Sequence, residues 1–265
     1  MDRISVGESE FHVSRFIYGT AKLHRIASAK ERRRLLSASV YNGFTHFDTS
    51  PFYGDGIAEK ELGLLAKLHP NITITTKYGL YSPGRLEKPN WEIYARKVGG
   101  KLIPSLSKPR RNFDVRMATR SLHASLKRIS RDFVDIFMLH EPIDLDLNFA
   151  EILEFLKSMK SKGLIRKFGV SGTILSIENI YQELPRLIEI AQIQDELNFS
   201  IEYLERYSID NMLVTYGYNK QPFTSTTDYL DRIKYALSRN RRGAIVVSTN
   251  RIERLPQYAK LLQDN

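Results

Sequence analysis

Short stretches in which hydrophobic and polar residues alternate are separated by stretches in which apolar residues recur every three or four positions. This switching between the strand and helix periods predicts a β/α order along the chain. Arg3 to Val13 alternates about Gly7-Glu8-Ser9 and predicts a short β-hairpin ahead of the main fold. Arg15 to Thr20 reads as the first main strand, closing on Gly19-Thr20. Ser28-Ala29-Lys30-Glu31 has the form of a capping box and opens a helix through Leu35 and Leu36 to Gly43. Thr45 to Asp48 is a second strand, broken at Ser50-Pro51, and the turn Gly54-Asp55-Gly56 leads into a helix from near Ala58. Ile72 to Lys77 alternates as a third strand, and Val134 to His140 is a nearly unbroken apolar fourth, as a strand covered on both faces should be. Ile165–Ser171, Ile188–Gln194, Met212–Tyr216 and Ala244–Ser248 supply strands five to eight. Helices are expected from Asp114 to about Ser130, along Phe149, Ile152, Leu153, Leu156 and Met159, over Ser176–Leu184 and Ile201–Ile209, at Tyr229–Leu237, and from about Pro256.

Eight strands alternating with helices predict a (β/α)8 TIM barrel with a short N-terminal β-hairpin, a single domain over residues 1–265. An open doubly wound sheet is the weaker alternative, because no Gly-x-Gly-x-x-Gly follows the first strand. Residues 78–113 break the rhythm: they are rich in Gly, Pro and basic residues and carry the only tryptophan, Trp91. A connection this long inside a compact domain is functional or disordered.

Composition narrows the chemistry. With 42% hydrophobic and 26% charged residues the chain reads as a soluble globular protein. The absence of cysteine excludes disulfides, thiolate metal sites and a cysteine nucleophile, and no metal site is expected. No 18-residue apolar run is present, and the first ten residues lack a signal-peptide core, so a cytoplasmic location without membrane association is the expectation. The net charge of +10 would suit nucleic acid, an anionic small molecule, or a solvated surface. No helix-turn-helix, zinc-finger or RNA-binding signature accompanies it, so no nucleic-acid partner is expected. Much of the charge lies in the long connection, at Arg85, Lys88, Arg96, Lys97, Lys101, Lys108, Arg110 and Arg111. That connection leaves the third strand beside the site developed below, and one reading is that it recruits an anionic substrate; a solvated loop is the other.

In parallel α/β folds ligands bind at the carboxyl ends of the strands. Asp48, Tyr53, Lys77 and His140 fall at or just beyond the ends of strands two, three and four. Parity puts Thr73, Thr75 and Lys77 on one face, and His140 with Ile136 and Met138. Singly, each has a plain structural explanation: a helix cap, a packed tyrosine, a snorkelling lysine, a core histidine. Together they can form a proton relay. A free phenol has a pKa of about 10, an adjacent ammonium is expected to lower it, and a carboxylate holds the ammonium. An imidazole can orient a carbonyl oxygen. A proton donor aimed at a carbonyl, with no nucleophile–base pair, calls for hydride from a cofactor.

The stretch His46-Phe47-Asp48-Thr49-Ser50-Pro51-Phe52-Tyr53-Gly54, with Glu59, Leu62 and Gly63, resembles the signature of the aldo-keto reductases, and Thr76-Lys77 and Met138-Leu139-His140 are similar to that family's third- and fourth-strand motifs. The resemblance implies Tyr53 as general acid, Lys77 and Asp48 as its tuning pair, and His140 as substrate orienter. It implies a small-molecule carbonyl substrate and a nicotinamide cofactor, NADPH before NADH. For the cofactor it implies Gly19, Thr20 and Asp48 near the nicotinamide ribose, Ser171 and Gln192 (with Gln194 as rival) at the carboxamide, and Tyr216 stacked on the ring. It also implies Ser248, Thr249, Asn250 and Arg254 near a 2′-phosphate. The chain departs from the family at Gly172, where Asn is usual, at Ser248, where Lys is usual, and after Tyr216, where Gly217-Tyr218-Asn219 replaces a pyrophosphate-covering loop. The family's carboxyl-terminal substrate loop is expected to be absent. These departures keep a second reading open, a cofactor-binding sensor or regulatory subunit on the same fold.

Overall fold

The computed structural model describes residues 1–6, 11–83, 109–142, 147–183, 188–195, 200, 202–203, 206, 212–218 and 228–263. Strands β1 (Arg3–Ser5) and β2 (His12–Ser14) pair antiparallel as the expected hairpin. Eight parallel strands then close into a barrel: β3 (Phe16–Gly19), β4 (His46–Asp48), β5 (Thr73–Tyr78), β8 (Val134–His140), β9 (Ile165–Gly172), β10 (Ile190–Gln194), β11 (Met212–Tyr216) and β12 (Ala244–Val247). The described helices are α1 (Ala29–Tyr41), α2 (Ile57–Leu68), α3 (Val115–Ile129), α4 (Phe149–Ser161), α5 (Ile174–Glu183), α6 (Tyr229–Arg239) and α7 (Leu255–Gln263). The helix expected over Ile201–Ile209 lies mostly outside the described residues, as does the hairpin turn Gly7-Glu8-Ser9.

One expectation is corrected. The connection after β5 is not irregular from its first residue: Tyr78 belongs to β5, and β6 (Leu80–Tyr81) pairs antiparallel with β7 (Arg110–Arg111) in a small ribbon. Period analysis cannot find strands of two residues paired across so long a gap. Gly79 makes the ribbon's entry, with φ 104° and no room for a Cβ against the Phe113 ring. Residues 84–108, including Arg85, Lys88, Arg96, Lys97, Lys101 and Lys108, lie outside the described residues.

The helix termini form where local chemistry asks for them. Ser28 Oγ accepts from Glu31 N at 3.3 Å, Asp114 Oδ1 accepts from Arg116 N and Met117 N at 2.9 and 3.0 Å, and Asn148 Oδ1 accepts from Glu151 N at 3.1 Å. Two cores result from strand alternation. Outward residues such as Phe47, Ile74, Phe137, Phe168 and Ile193 pack under the helices. Inward Ile17, Ile136, Met138, Ile190, Met212 and Val214 pack with Val6 and Val13, so the hairpin stoppers the amino-terminal mouth of the barrel. Helices α2 and α3 approach closely at Gly63, where a Cβ would stand 2.6 Å from Arg128 O.

His46 shows how the interior below the site is kept neutral. Thr73 Oγ1 donates to Thr45 O at 3.2 Å, so it accepts from His46 Nδ1 at 2.7 Å, and Thr75 Oγ1 donates to Nε2 at 2.7 Å. Burial, reinforced by the Lys77 charge, pushes the His46 pKa down to about 3. In the unfolded chain the ring takes its proton near pH 6.5, so acidification favours unfolding. Stability present above that pH is expected to fall by about 1.4 kcal/mol per pH unit for this group as pH drops toward 3. Thermal melts between about pH 6.5 and pH 4.5 should show this slope, reduced in His46→Gln; equal slopes in both proteins would exclude His46 as its source.

Candidate active site

The main chain carries the pairing of β4 and β5 beyond the strand and so sets the loop that holds Tyr53. Asp48 pairs with Thr75 in register, and Thr49 N still donates to Thr75 O at 2.9 Å. The chain then turns on Ser50, whose O accepts from Tyr53 N at 3.0 Å. Gly54, Asp55 and Gly56 follow with φ of 65°, 56° and 85°, three successive left-handed residues that swing the chain into α2. This is the physical reason for the Gly-Asp-Gly turn. Glu59, fully buried in α2, then fastens the helix: its Oε1 accepts from Thr76 Oγ1 at 2.6 Å and its Oε2 from Arg128 Nε at 2.6 Å. Glu59 is part of the signature stretch, yet nothing in sequence spacing reveals that it ties α2 to the residue beside Lys77.

The four candidate catalytic side chains meet at the carboxyl end of the barrel. Lys77 Nζ, fully buried, lies 2.5 Å from Asp48 Oδ2 and donates to Thr49 O at 3.0 Å. The same ammonium is 5.1 Å from the centre of the half-buried Tyr53 ring. That ring meets His140 edge-on, with centroids 5.8 Å apart at 86°. Sequence reading gave Ser50 no role beyond marking a strand break. Its Oγ accepts from Phe52 N at 3.2 Å and lies 3.2 Å from His140 Nδ1. Since Ser50 has no other acceptor among the described residues, its hydrogen goes to Nδ1 and the ring proton resides on Nε2. His140 is thereby set as a neutral donor. Burial, helped by the charges of Lys77 and Arg111, holds its pKa well below 6.5.

The expected lowering of the Tyr53 pKa is corrected. Burial raises it well above 10, and Asp48, Tyr216 and Glu141 push the same way. The physical reason is removal of the phenol from water: burial disfavours the phenolate first, and the Asp48 carboxylate works against it too, so together they outweigh the pull of the Lys77 ammonium. Burial likewise lowers Lys77 from its ordinary value, against the opposing pull of Asp48. Tyr53 is therefore a fully protonated donor at neutral pH.

The candidate cofactor residues separate into two groups. Gly19 pairs with Asp48, Ser171 with both His140 and Gln192, and Gln194 with Tyr216, so they rim the same mouth. Thr20 gives both N and Oγ1 to Asp48 O, at 3.0 and 2.9 Å, and so anchors the acid's main chain. Gln192 is buried level with Ser171, and its Oε1 has no hydrogen-bond partner among the described residues. An unpaired buried amide oxygen is costly, and a carboxamide NH2 is the donor it lacks. Where the family's Asn would start, a Cβ on Gly172 would stand 2.5 Å from Ser176 Oγ. At this end the residues fit a nicotinamide.

The second group is engaged within the chain. Ser248 Oγ donates to Gly19 O at 2.9 Å, Thr249 Oγ1 accepts from Arg251 N at 3.1 Å, and the Arg254 guanidinium lies 4.5 Å over the Tyr229 ring. Asn250 is exposed. Just past β10, Asp195 accepts from Arg239 Nε and Nη2 at 2.7 and 2.9 Å and from Tyr218 Oη at 2.7 Å, a buried cluster that braces the ends of β10 and β11. Among the described residues no group of three or more His, Asp or Glu could hold a metal, and no helix is long and apolar enough to cross a membrane.

The structure is a parallel barrel with a buried carboxylate–ammonium pair beneath a tyrosine and a neutral histidine at the strand ends. Comparison with known proteins narrows its class. The model of the Aldo/keto reductase family matches residues 15–217. A D-threo-aldose 1-dehydrogenase from Pseudomonas sp. is 29% identical over 170 residues, covering 59% of this chain and 49% of that protein. An L-galactose dehydrogenase from Arabidopsis thaliana is 28% identical over 158 residues, covering 57% of this chain and 39% of that protein. The chain thus spans about half or less of these curated relatives. In structure, an aldo-keto reductase from Bacillus halodurans in its holo form superposes with a TM-score of 0.76 at 18% identity, covering 99% of this chain and 91% of that one. A glycerol dehydrogenase from Gluconobacter oxydans gives 0.73 at 16% identity, covering 98% and 90%. The chain belongs to the aldo/keto reductase family.

Proposed function

We propose that the protein is an NAD(P)H-dependent oxidoreductase that interconverts an aldehyde or ketone and its alcohol. The observation that carries this reading is the contact of Lys77 with Asp48 directly beneath the Tyr53 ring, with His140 at that ring's edge. Tyr53 donates its hydroxyl proton to the carbonyl oxygen of the substrate. As the phenol gives up the proton, the Lys77 ammonium below the ring stabilises the forming phenolate, and Asp48 keeps the lysine charged. His140 holds the same oxygen through Nε2–H, with Ser50 fixing the tautomer. When bound in reduced form, the nicotinamide supplies the hydride that the carbonyl carbon accepts. Ser171 and Gln192 would hold its carboxamide, Gly19, Thr20 and Asp48 would border its ribose, and Tyr216 would cover the ring. Ser248, Thr249, Asn250 and Arg254 remain the candidates for the adenosine phosphate.

NADPH oxidation against a panel of aldehydes, including sugars, tests the activity; no turnover with any of them would overturn it. The departures at Gly172, at Ser248 and after Tyr216 keep the second reading, a cofactor-binding sensor with little turnover. Fluorescence titration of the protein with NADPH and NADH separates the two in one respect: tight binding without turnover identifies the sensor. NADPH is expected to bind the more tightly, through Arg254; equal affinities would remove Arg254 from the cofactor site.

A further inference from the structure

The β6–β7 ribbon brings a cation to the rim of the site. Leu80 pairs with Arg111, and Asn112 N donates to Gly79 O at 2.9 Å, so the position of residue 111 is set by main-chain bonds to the segment that continues from Lys77. Arg111 Nη2 stands 3.3 Å from Glu141 Oε2. Glu141 directly follows His140 and has φ 50°, a conformation that non-glycine residues adopt rarely and that clusters at functional sites. Its N donates to Ser171 O at 2.7 Å, so β9 holds it in place.

This ion pair differs from the buried ones of the barrel. Arg239 meets Asp195 through two short bonds, and Arg128 meets Glu59 at 2.6 Å, with both pairs buried. Arg111 and Glu141 have side chains 37% and 40% exposed and make a single contact at the long end of the hydrogen-bond range. Among the described residues most donors of the planar guanidinium are left for another oxygen ligand. The pair also lies near enough to be felt in the site: Arg111 adds to the effect of burial and Lys77 in lowering the His140 pKa, and Glu141 adds to burial in raising that of Tyr53 and opposes the lowering of Lys77 by burial. Of the two cations acting on His140, Lys77 is closed by Asp48, whereas Arg111 is half closed.

We infer that Arg111 is a specificity-determining residue that binds a carboxylate or phosphate group of the substrate, with Glu141 holding the guanidinium at the rim while the carbonyl lies at Tyr53 and His140. Arginine suits the task because its fork matches two oxygens of either group. The inference rests on the reductase reading and names its substrate class: a carbonyl compound carrying an anionic group. Arg110, next along the strand, points to the opposite face of the ribbon and serves as the control.

The test compares 4-oxobutanoate with butanal, and glyceraldehyde 3-phosphate with glyceraldehyde, in the wild type, Arg111→Gln and Arg110→Gln. Arg111→Gln should lower kcat/KM for one anionic member by about ten-fold or more, chiefly through KM, and leave its neutral partner unchanged. The pair that responds identifies carboxylate or phosphate. Equal losses on neutral and anionic substrates would overturn the inference and leave Arg111 a structural brace of the rim, no loss on either anionic substrate would overturn it outright, and equal losses in Arg110→Gln would reduce it to diffuse steering. If no aldehyde is turned over, the reductase reading fails by itself, and calorimetric titration with glutarate and with inorganic phosphate still decides. Equal affinities of wild type and Arg111→Gln for both anions would then sink the assignment.

Discussion

Replacement of Tyr53 by phenylalanine is expected to lower kcat for carbonyl reduction by about 10²–10⁴-fold, the range spanned by a general acid. The ring contacts with Lys77 and His140 do not involve the hydroxyl, so Tm and cofactor affinity should stay at their wild-type values. The variant therefore separates chemistry from packing. Turnover that persists undiminished in Tyr53→Phe would remove Tyr53 as the proton donor. Because burial holds the phenol pKa above its ordinary value, wild-type kcat should not fall from neutral pH up to about pH 9 through loss of the Tyr53 proton.

The second large effect concerns the pair beneath the ring. Lys77→Met leaves the Asp48 carboxylate buried without its cation. Breaking a buried pair from one side costs about 3–5 kcal/mol. That corresponds to a fall in Tm of roughly 10 °C. Turnover should be lost as well, since nothing then stabilises the forming phenolate. The double variant Asp48→Asn/Lys77→Met removes both charges and is expected to regain much of the stability without regaining activity. An unchanged Tm in Lys77→Met would mean that the pair is not the buried, unshielded contact seen between Nζ and Oδ2. Recovery of activity in the double variant would show that the pair is structural only.

The legible part of this protein follows from local rules. Alternation on β5 separates Thr75 and Lys77 from Ile74, and the run of β8, apolar but for Asp135 and the terminal His140, identifies a strand covered on both faces. Side-chain direction repeats every two residues along a strand, so the inward placement of Asp48, Lys77 and His140 is written in the chain order. The Gly54-Asp55-Gly56 turn is equally legible, because its three left-handed residues admit few alternatives. The β6–β7 ribbon was not legible, since its two short strands are joined across residues 82–109. Nor were the separate duties of Ser248, Thr249 and Arg254, whose hydroxyls and guanidinium are polar groups of the same kind whether they face a ligand or another part of the chain.

From the stretch around Asp48 and Tyr53, the sequence by itself determined that an acid and a phenol stand at one strand end, with a lysine and a histidine at the next two, in a barrel order. Only the tertiary structure decided their electrical state. Burial and the Asp48 carboxylate raise the Tyr53 pKa that the Lys77 ammonium was expected to lower, Ser50 sets the His140 tautomer from ninety residues away, and Arg111 reaches the rim through main-chain pairing with Leu80. The reason is physical: placement along a strand is a local property of the backbone, whereas pKa, tautomer and ion pairing depend on the distance and burial of groups far apart in the chain.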